Sequence, residues 1–372
     1  MSRILVTGGA GFIGSHTVDL LLERGYQVRV LDSLQQRVHP RGWPAYLNPA
    51  AEKQQGDVRC KKTLTVALEG VDAVIHLAAY QDYMPDFSTF FDVNTTSAAL
   101  LYEIIAAQGW PVRKVVLASS QAVYGEGRYA CPAHGTVYPA ARSAGQLARG
   151  KWEHSCPQCG APMRPEPITE ARVNPHTAYG ISKYAAELAS NNLGLKYGIP
   201  TVNMRYSIVQ GPRNSFYNAY SGIGRIFTLR LLQNRPPVCY EDGQQLRDYV
   251  YVGDVARANL LVLEDSRADF RAFNVAGQTG TTVLQYARQL AQVAGSRLEP
   301  VVSGEYRYGD TRHTVSSGAA LAELGWRPAT PLREVMAAYV DWVKQQPHLE
   351  DYHATAEDAM RGARVLRRTR AS

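Results

Sequence analysis

Thr7-Gly8-Gly9-Ala10-Gly11-Phe12-Ile13-Gly14 is the stretch that decides the fold of this 372-residue chain. It follows the apolar run Ile4-Leu5-Val6 and opens an apolar-periodic segment through Leu22, so it reads as strand, glycine turn, helix. Glycines at Gly8, Gly11 and Gly14 permit a tight turn, close approach of backbone to a pyrophosphate, and close packing of helix on strand. The pyrophosphate would sit on the free N–H groups of the helix start, which places Gly8, Gly11, Phe12, Ile13 and Gly14 in a dinucleotide site. A second strand, Val28-Arg29-Val30-Leu31, ends at Asp32, eighteen residues past Gly14. An acid at that spacing bonds the adenosine ribose hydroxyls and repels a 2′-phosphate, so the implied cofactor is NAD rather than NADP.

The pattern continues outward. Gly56-Asp57-Val58 follows another short segment and is expected at the adenine. Ala73-Val74-Ile75-His76-Leu77-Ala78-Ala79 reads as a buried strand ending in small residues, so the cofactor can pass close to Leu77, Ala78 and Ala79. Lys114 to Ser120 is the next strand, with two hydroxyls at its carboxyl end. Ligands of an open parallel sheet bind outside that end. Ser120 is therefore expected to bond a substrate hydroxyl, and Ser119 to cap a helix or turn. Tyr179-Gly-Ile-Ser-Lys183 supplies a phenol and an ammonium four residues apart, on one face of a helix. There the lysine charge would stabilise a phenolate and lower the tyrosine pKa, giving an acid/base for a sugar or alcohol hydroxyl.

These motifs, with His76-Leu-Ala-Ala79, Ser119-Ser-Gln-Ala-Val-Tyr-Gly125 and Arg247-Asp-Tyr-Val-Tyr-Val-Gly-Asp-Val-Ala256, occur in an order that resembles one family over roughly residues 1–345. It is the extended short-chain dehydrogenases/reductases, specifically the NAD-dependent nucleotide-sugar epimerase/dehydratase family. The resemblance implies an α/β Rossmann-type doubly wound parallel sheet with a smaller α/β substrate lobe. It implies Ser120, Tyr179 and Lys183 as the catalytic trio, and Asn94 as a support of the lysine through water. The dehydratases and decarboxylases of the family carry an acid where Ala122 stands, and the dTDP-glucose dehydratases a further one at Gln121. Neither residue here can serve as that acid/base. An epimerase with one acid/base and one hydride acceptor remains, oxidising and re-reducing a sugar carbon, C4 first among them. Gln121 and Ser120 would meet the sugar, and Arg247 and Arg307 the diphosphate, for which arginine forks are suited. Ile208 stands where most relatives have a substrate-contacting asparagine, which leaves the sugar open. Two alternatives stay open as well: a 4,6-dehydratase or reductase on the same scaffold, and an NAD-sensing interaction protein.

Between Tyr124 and Tyr179 lies a cysteine-rich insertion, residues 126–170. Cys131-x2-His134 and Cys156-Pro-Gln-Cys159-Gly160 offer three thiolates and an imidazole, enough for a closed, structural tetrahedral zinc site. His154 could replace His134 as the fourth ligand, and a redox CxxC is the competing reading. Cys60 and Cys239 read as buried single cysteines. With this module, Gly125-Glu126-Gly127, Gln146-Leu147, Gly150-Lys151-Trp152-Glu153 and Tyr240-Glu241-Asp242-Gly243 resemble dTDP-L-rhamnose 4-epimerase-like and UDP-glucose 4-epimerase-like members.

The family's layout puts residues 1–205 and 247–275 in the NAD-binding domain, 206–246 and 276–346 in the nucleotide-sugar lobe, and 347–372 in a tail. The short strand Val238-Cys239-Tyr240 would underlie the nucleobase, and helices Thr282–Ala294 and Leu332–Lys344 belong to the lobe. Helices around Thr89–Ala107 and Ala178–Lys196 would pair across a two-fold axis, making a homodimer. No apolar run reaches the ~20 residues of a membrane span, and no secretion signal precedes the first strand, so a cytoplasmic enzyme is expected. The net charge of +7 is spread out except between Arg361 and Arg370. An anionic diphosphate accounts for it without nucleic acid, and the tail reads as a solvated or packed helix.

Overall fold

The computed structural model describes residues 2–82, 85–215, 222–347, 357–358 and 360–369. Seven parallel strands form the central sheet, in the order Ala272–Val275, Thr201–Tyr206, Val115–Ser120, Ala73–His76, Arg3–Thr7, Gln27–Asp32, Glu52–Gln55. The chain starts in the middle, at Arg3–Thr7, winds outward one way through Glu52–Gln55, and returns past the start to Ala73–His76. Between those two central strands the order reverses, and a crevice opens at their carboxyl ends.

Alternation along the strands explains the two-sided burial. Ile4, Val6, Val30, Ala73, Ile75 and Val116 face one core, with Val18 and Leu21 of helix Phe12–Glu23 and Val255 and Leu260 of helix Val252–Glu264. Leu5, Leu31, Val74 and Val115 face the other, with Leu64 and Leu68 of helix Lys61–Leu68 and Leu101 and Ile105 of helix Ser97–Gln108. A sheet covered by helices on both faces reads as near-continuous apolar runs, as these strands do.

A separate core joins Phe227, Cys239, Tyr249, Tyr286, Leu290 and Met336 at the carboxyl end of the sheet. Helix Val283–Val293 begins in a reciprocal cap between Thr282 and Gln285, and helix Leu332–Lys344 falls where its spacing predicts. Val238–Cys239 pairs parallel with Val301–Val302. Strands Gly135–Val137, Arg128–Cys131 and Arg164–Glu166 form the antiparallel sheet of the insertion.

Three expectations change. The helix expected over Thr89–Ala107 is Phe87–Phe91 and Ser97–Gln108 joined by a π-helical turn, Asp92–Thr96, a device that often re-aims a side chain at a functional site. Cys239 is buried but Cys60 is exposed, because it stands at the solvent-facing entry to helix Lys61–Leu68. The tail is no helix over Leu366–Arg368: these residues pair antiparallel with Glu305–Arg307, whose Glu305 attracts Arg361 and Arg368. Arg370 and residues 348–356 of the tail lie outside the described residues.

Candidate active site

A cavity of about 510 Å³ runs from the glycine turn, past Ser120 and Tyr179, to Arg247 and Arg307. At its first end the backbone is packed too tightly for side chains. A Cβ on Gly14 would stand 2.2 Å from the Gly8 carbonyl oxygen, and one on Gly8 would stand 2.8 Å from the Ala78 nitrogen. Gly8 also holds φ at +68°, a conformation glycine adopts freely. Helix Phe12–Glu23 starts at Gly11 with no side-chain cap, so its first N–H groups are left for a phosphate. This cradle fits a dinucleotide pyrophosphate. Asp32 is nearly buried and accepts from Ala10 N at 3.0 Å and Leu34 N at 2.9 Å. With Asp57, Val58, Leu77, Ala78 and Ala79 it lines an adjoining recess suited to the adenosine. Asp57 is held below the usual carboxylate range, first by its bond to Arg59.

Below the Leu77–Ala79 turn, buried His76 bridges Thr7 Oγ1 at 2.8 Å and Ser97 Oγ at 3.0 Å. Burial, reinforced by the Lys183 charge, lowers its pKa to about 3, so the ring is neutral. Asn94, on the π-helical turn, accepts from Tyr80 N and donates to Tyr80 O and Ser182 Oγ, at 2.8–3.0 Å. It braces the loop after His76 directly against the helix that carries Tyr179 and Lys183.

That helix, Ala178–Tyr197, is capped by Thr177 Oγ1, which accepts from Gly180 N at 3.0 Å. A Cβ on Gly180 would stand 2.5 Å from the Ala122 carbonyl oxygen. The glycine inside the Tyr179–Lys183 motif thus lets the helix touch the turn that begins at Ser120, bringing Tyr179 to Ser120. Burial raises Tyr179 to about 12, opposed by a hydrogen bond with Ser120. Burial lowers Lys183 to about 8, opposed by Glu187, and its ammonium donates to Ala118 O at 2.8 Å. The expected lowering of the tyrosine pKa is therefore absent: desolvation outweighs the Ser120 hydrogen bond, and the Lys183 ammonium is anchored on a carbonyl.

The cap expected of Ser119 falls to Ser120, which also lines the cavity. Ser120 caps the short 3-10 turn Gln121–Tyr124 by accepting from Ala122 N at 3.1 Å, which leaves its proton free to donate. Ser119 instead bonds buried Glu187, which forks onto Arg205. Arg205 in turn reaches the Tyr124 hydroxyl, making that tyrosine structural. Gln121 lines the cavity, and its buried Oε1 has no partner among the described residues.

At the far end Arg247 donates to the carbonyls of Leu246, Arg312 and Thr311 at 2.8–3.0 Å, a cation held by neutral groups. Arg307 pairs with Asp310 at 3.1 Å and lies 5.5 Å over the Tyr240 ring. Asp310 is the one carboxylate among the described residues lining the cavity. Ile208 lines it too, in place of a polar contact.

The insertion reaches this end through buried charges that sequence reading noticed only as motifs. Arg142 forks onto Glu241 with two bonds of 2.9 Å and also reaches Asp310 O. Arg312, fully buried, binds Glu153, Glu241 and Asp242 at 2.5–2.9 Å. Glu126 accepts from Arg312 N and pairs with His154 at 3.1 Å. In the same insertion Cys131, His134, Cys156 and Cys159 place their ligand atoms within 4.8 Å of one another. The His134 nitrogen lies 3.6 Å from the Cys131 sulfur and 3.5 Å from the Cys156 sulfur, and the Cys131 and Cys159 sulfurs are 3.7 Å apart. Metal bonds of about 2.0–2.3 Å give tetrahedral edges of roughly these lengths. His154 is taken by Glu126, which leaves His134 as the imidazole of the cluster.

The model of the NAD dependent epimerase/dehydratase family matches residues 4–148 and 153–276. A dTDP-L-rhamnose 4-epimerase of Burkholderia thailandensis is 32% identical over 352 residues, 92% of this chain and 95% of that protein. Among solved structures, a UDP-glucose 4-epimerase of Thermotoga maritima with UDP-glucose superposes with a TM-score of 0.73 at 31% identity, covering 92% of this chain and 99% of that one. The UDP-glucose 4-epimerase of Thermus thermophilus with NAD gives 0.72 at 30%, covering 93% and 100%.

Proposed function

The chain belongs to the NAD dependent epimerase/dehydratase family, and we propose that it is an NAD-dependent nucleotide-sugar epimerase that inverts C4 of a dTDP- or UDP-hexose through a transient 4-keto sugar. The observation that carries this reading is the meeting of Tyr179, Ser120 and Lys183 beside the glycine cradle, with Gln121 and Ala122 where elimination would need an acid. Asp310, the cavity's one carboxylate among the described residues, is tied to Arg307 at the opposite end. Gly8, Gly11, Phe12, Ile13, Gly14, Asp32, Asp57, Val58, Leu77, Ala78 and Ala79 would hold NAD, which would supply the hydride acceptor and donor. The protein's own groups supply the proton chemistry. As a phenolate, a form that burial opposes and that the Ser120 hydroxyl and the Lys183 charge favour, Tyr179 takes the proton of the sugar hydroxyl. Ser120 donates to the oxygen as it becomes a carbonyl, where charge gathers. After the keto-sugar turns its other face, Tyr179 returns the proton to the opposite epimer. Arg247 and Arg307 hold the diphosphate through that turn, so the sugar swings while the nucleotide stays.

In this reading residues 1–205 and 247–275 bind NAD, and 206–246 and 276–346 bind the nucleotide sugar. Incubating the protein with dTDP-, UDP- and GDP-sugars and reading products by NMR tests it. Inversion at C4 without net NADH is expected; a 4-keto-6-deoxy product or stoichiometric NADH would sink the epimerase.

Zinc in the Cys131, His134, Cys156, Cys159 cluster would be structural, since four protein ligands leave no open position. Elemental analysis should find about one zinc per chain, and a metal-free, fully folded enzyme would remove the idea. For a homodimer the support is an exposed apolar stripe at seven-residue spacing, Ile181, Leu188 and Leu195, beside exposed Phe87 and Phe91. Leu188→Glu should yield monomers in sedimentation; a monomeric parent chain would overturn the assignment. Among the described residues no helix is long and apolar enough to cross a membrane. Thiols kept free for a metal fit a reducing cytoplasm.

A further inference from the structure

The C-terminal segment meets the cavity at its nucleotide end. Met360 is buried and lines the cavity together with Val238, Tyr240, Arg247 and Arg307. Glu357 Oε1 accepts from the Tyr240 hydroxyl at 2.9 Å, fixing the aromatic ring whose face carries Arg307. Beyond Met360 the chain turns: Val365 N donates to Met360 O at 2.9 Å, and Leu366–Arg368 then pairs with Glu305–Arg307. In that register buried Leu366 stands opposite Arg307, and Tyr308 N donates to Val365 O at 2.9 Å. Glu305 anchors the same strand, accepting from Arg361 at 2.6 Å and Arg368 at 2.9 Å. Its carboxyl is held below the usual range, first by the Arg361 bond.

We propose that the segment 360–369 is part of the nucleotide-binding site: Met360 is a wall for the nucleoside, and strand Leu366–Arg368 fixes the strand that presents Arg307 to the diphosphate. This rests on the site's reading as one for nucleoside diphosphate sugars. The chemistry matches, because two arginines, an aromatic ring and two apolar side chains at one end of a cleft suit a diphosphate bearing a planar base. Methionine is an adaptable apolar surface for such a ring. A carboxylate at position 360 would face the same arginines and compete with the diphosphate for them.

The test uses the full NAD-loaded chain and titrates UDP and dTDP by calorimetry. Met360→Glu should weaken both at least about tenfold with NAD content unchanged, while Met360→Leu stays within about twofold. Unchanged affinity in Met360→Glu overturns the proposal. The unaltered chain gives an independent measurement: saturating UDP should slow amide exchange at Met360 and Leu366–Arg368, and no slowing there overturns the proposal however the variants fold. Failure of the underlying reading looks different, since then neither nucleotide binds the unaltered chain at all.

Discussion

Around the glycine turn, positions are set by apolar contact and by side chains that are missing; around Arg247 and Arg307 they are set by paired charges. In the first region Val6, Val30 and Ile75 pack without polar partners beneath a loop where a single added Cβ would strike a backbone oxygen at 2.2 Å. In the second, Arg142, Arg312, Glu126 and Glu241 are almost wholly withdrawn from water and answer one another. Rigid apolar packing suits a cofactor retained through each cycle. Directional ion pairs suit a segment that must hold two arginines in register. Buried pairs add little net stability, because desolvation consumes most of their attraction, but removing one partner is costly.

Tyr179 stands between the regions, and its loss should give the largest effect. Tyr179→Phe should keep NAD and thermal stability yet lose about 10²–10⁴-fold in turnover, the usual worth of a positioned acid/base. Retained turnover would sink the site assignment. Next come paired substitutions that should fail in opposite ways. Arg312→Leu takes one partner from Glu241, which keeps its Arg142 fork, and frees the partly exposed Asp242 and Glu153 to turn to water, so the cost should be about 3 kcal/mol or less, the low end for a broken buried pair. It should raise KM while NAD content holds. Gly14→Ala should instead strip NAD. If both variants lose NAD alike in denaturation and cofactor-content assays, the two regions are not independent.

The same contrast explains what was legible in the sequence. The glycine turn, Asp32 and Tyr179–Lys183 could be read because each motif's spacing lies within one helix or one strand–helix–strand unit. Arg312 meets Glu126 across 186 positions and Met360 reaches the cavity across the whole lobe, so no local period announces them. Motif matching did single out Glu126, Glu153, Glu241 and Asp242, yet only their assembly around Arg312 shows what they do. That Ser120 and not Ser119 caps the turn had a local cause that sequence could not rank. Both hydroxyls end the same strand, and which one caps depends on where Glu187 stands.

Titration should separate the regions by pH window. Burial alone would raise Glu126, but its bond to His154 and the Arg142 charge outweigh it and hold the carboxyl at about 2, well below the ordinary 4.5 of a glutamate. A carboxylate with a depressed folded pKa stabilises above its unfolded pKa, so this contribution should fade as pH falls from about 4.5 to 2. Its size is on the order of 3 kcal/mol. The stability gap between the parent and Glu126→Gln should be full at pH 7 and closed near pH 2. Lys183 should act in another window: with its folded pKa lowered to about 8, its buried charge costs stability, and the parent should gain on Lys183→Met as pH rises from 8 to about 10.5. Denaturant midpoints across pH check both, and a gap flat with pH in either variant breaks the corresponding half of the contrast.

The smallest effect tests whether apolar packing alone fixes the catalytic helix. Thr177 caps it two residues before Tyr179, and Thr177→Ala leaves Gly180 N without its side-chain acceptor. A lost N-cap costs about 1 kcal/mol, too little to unfold the chain. The backbone just ahead of Tyr179 would loosen, although Gly180 still lies against Ala122 O. Turnover should therefore fall only a few-fold, with NAD content and KM unchanged. A loss approaching that of Tyr179→Phe would mean that the cap, and not the packing of Gly180 on Ala122, holds the tyrosine beside Ser120.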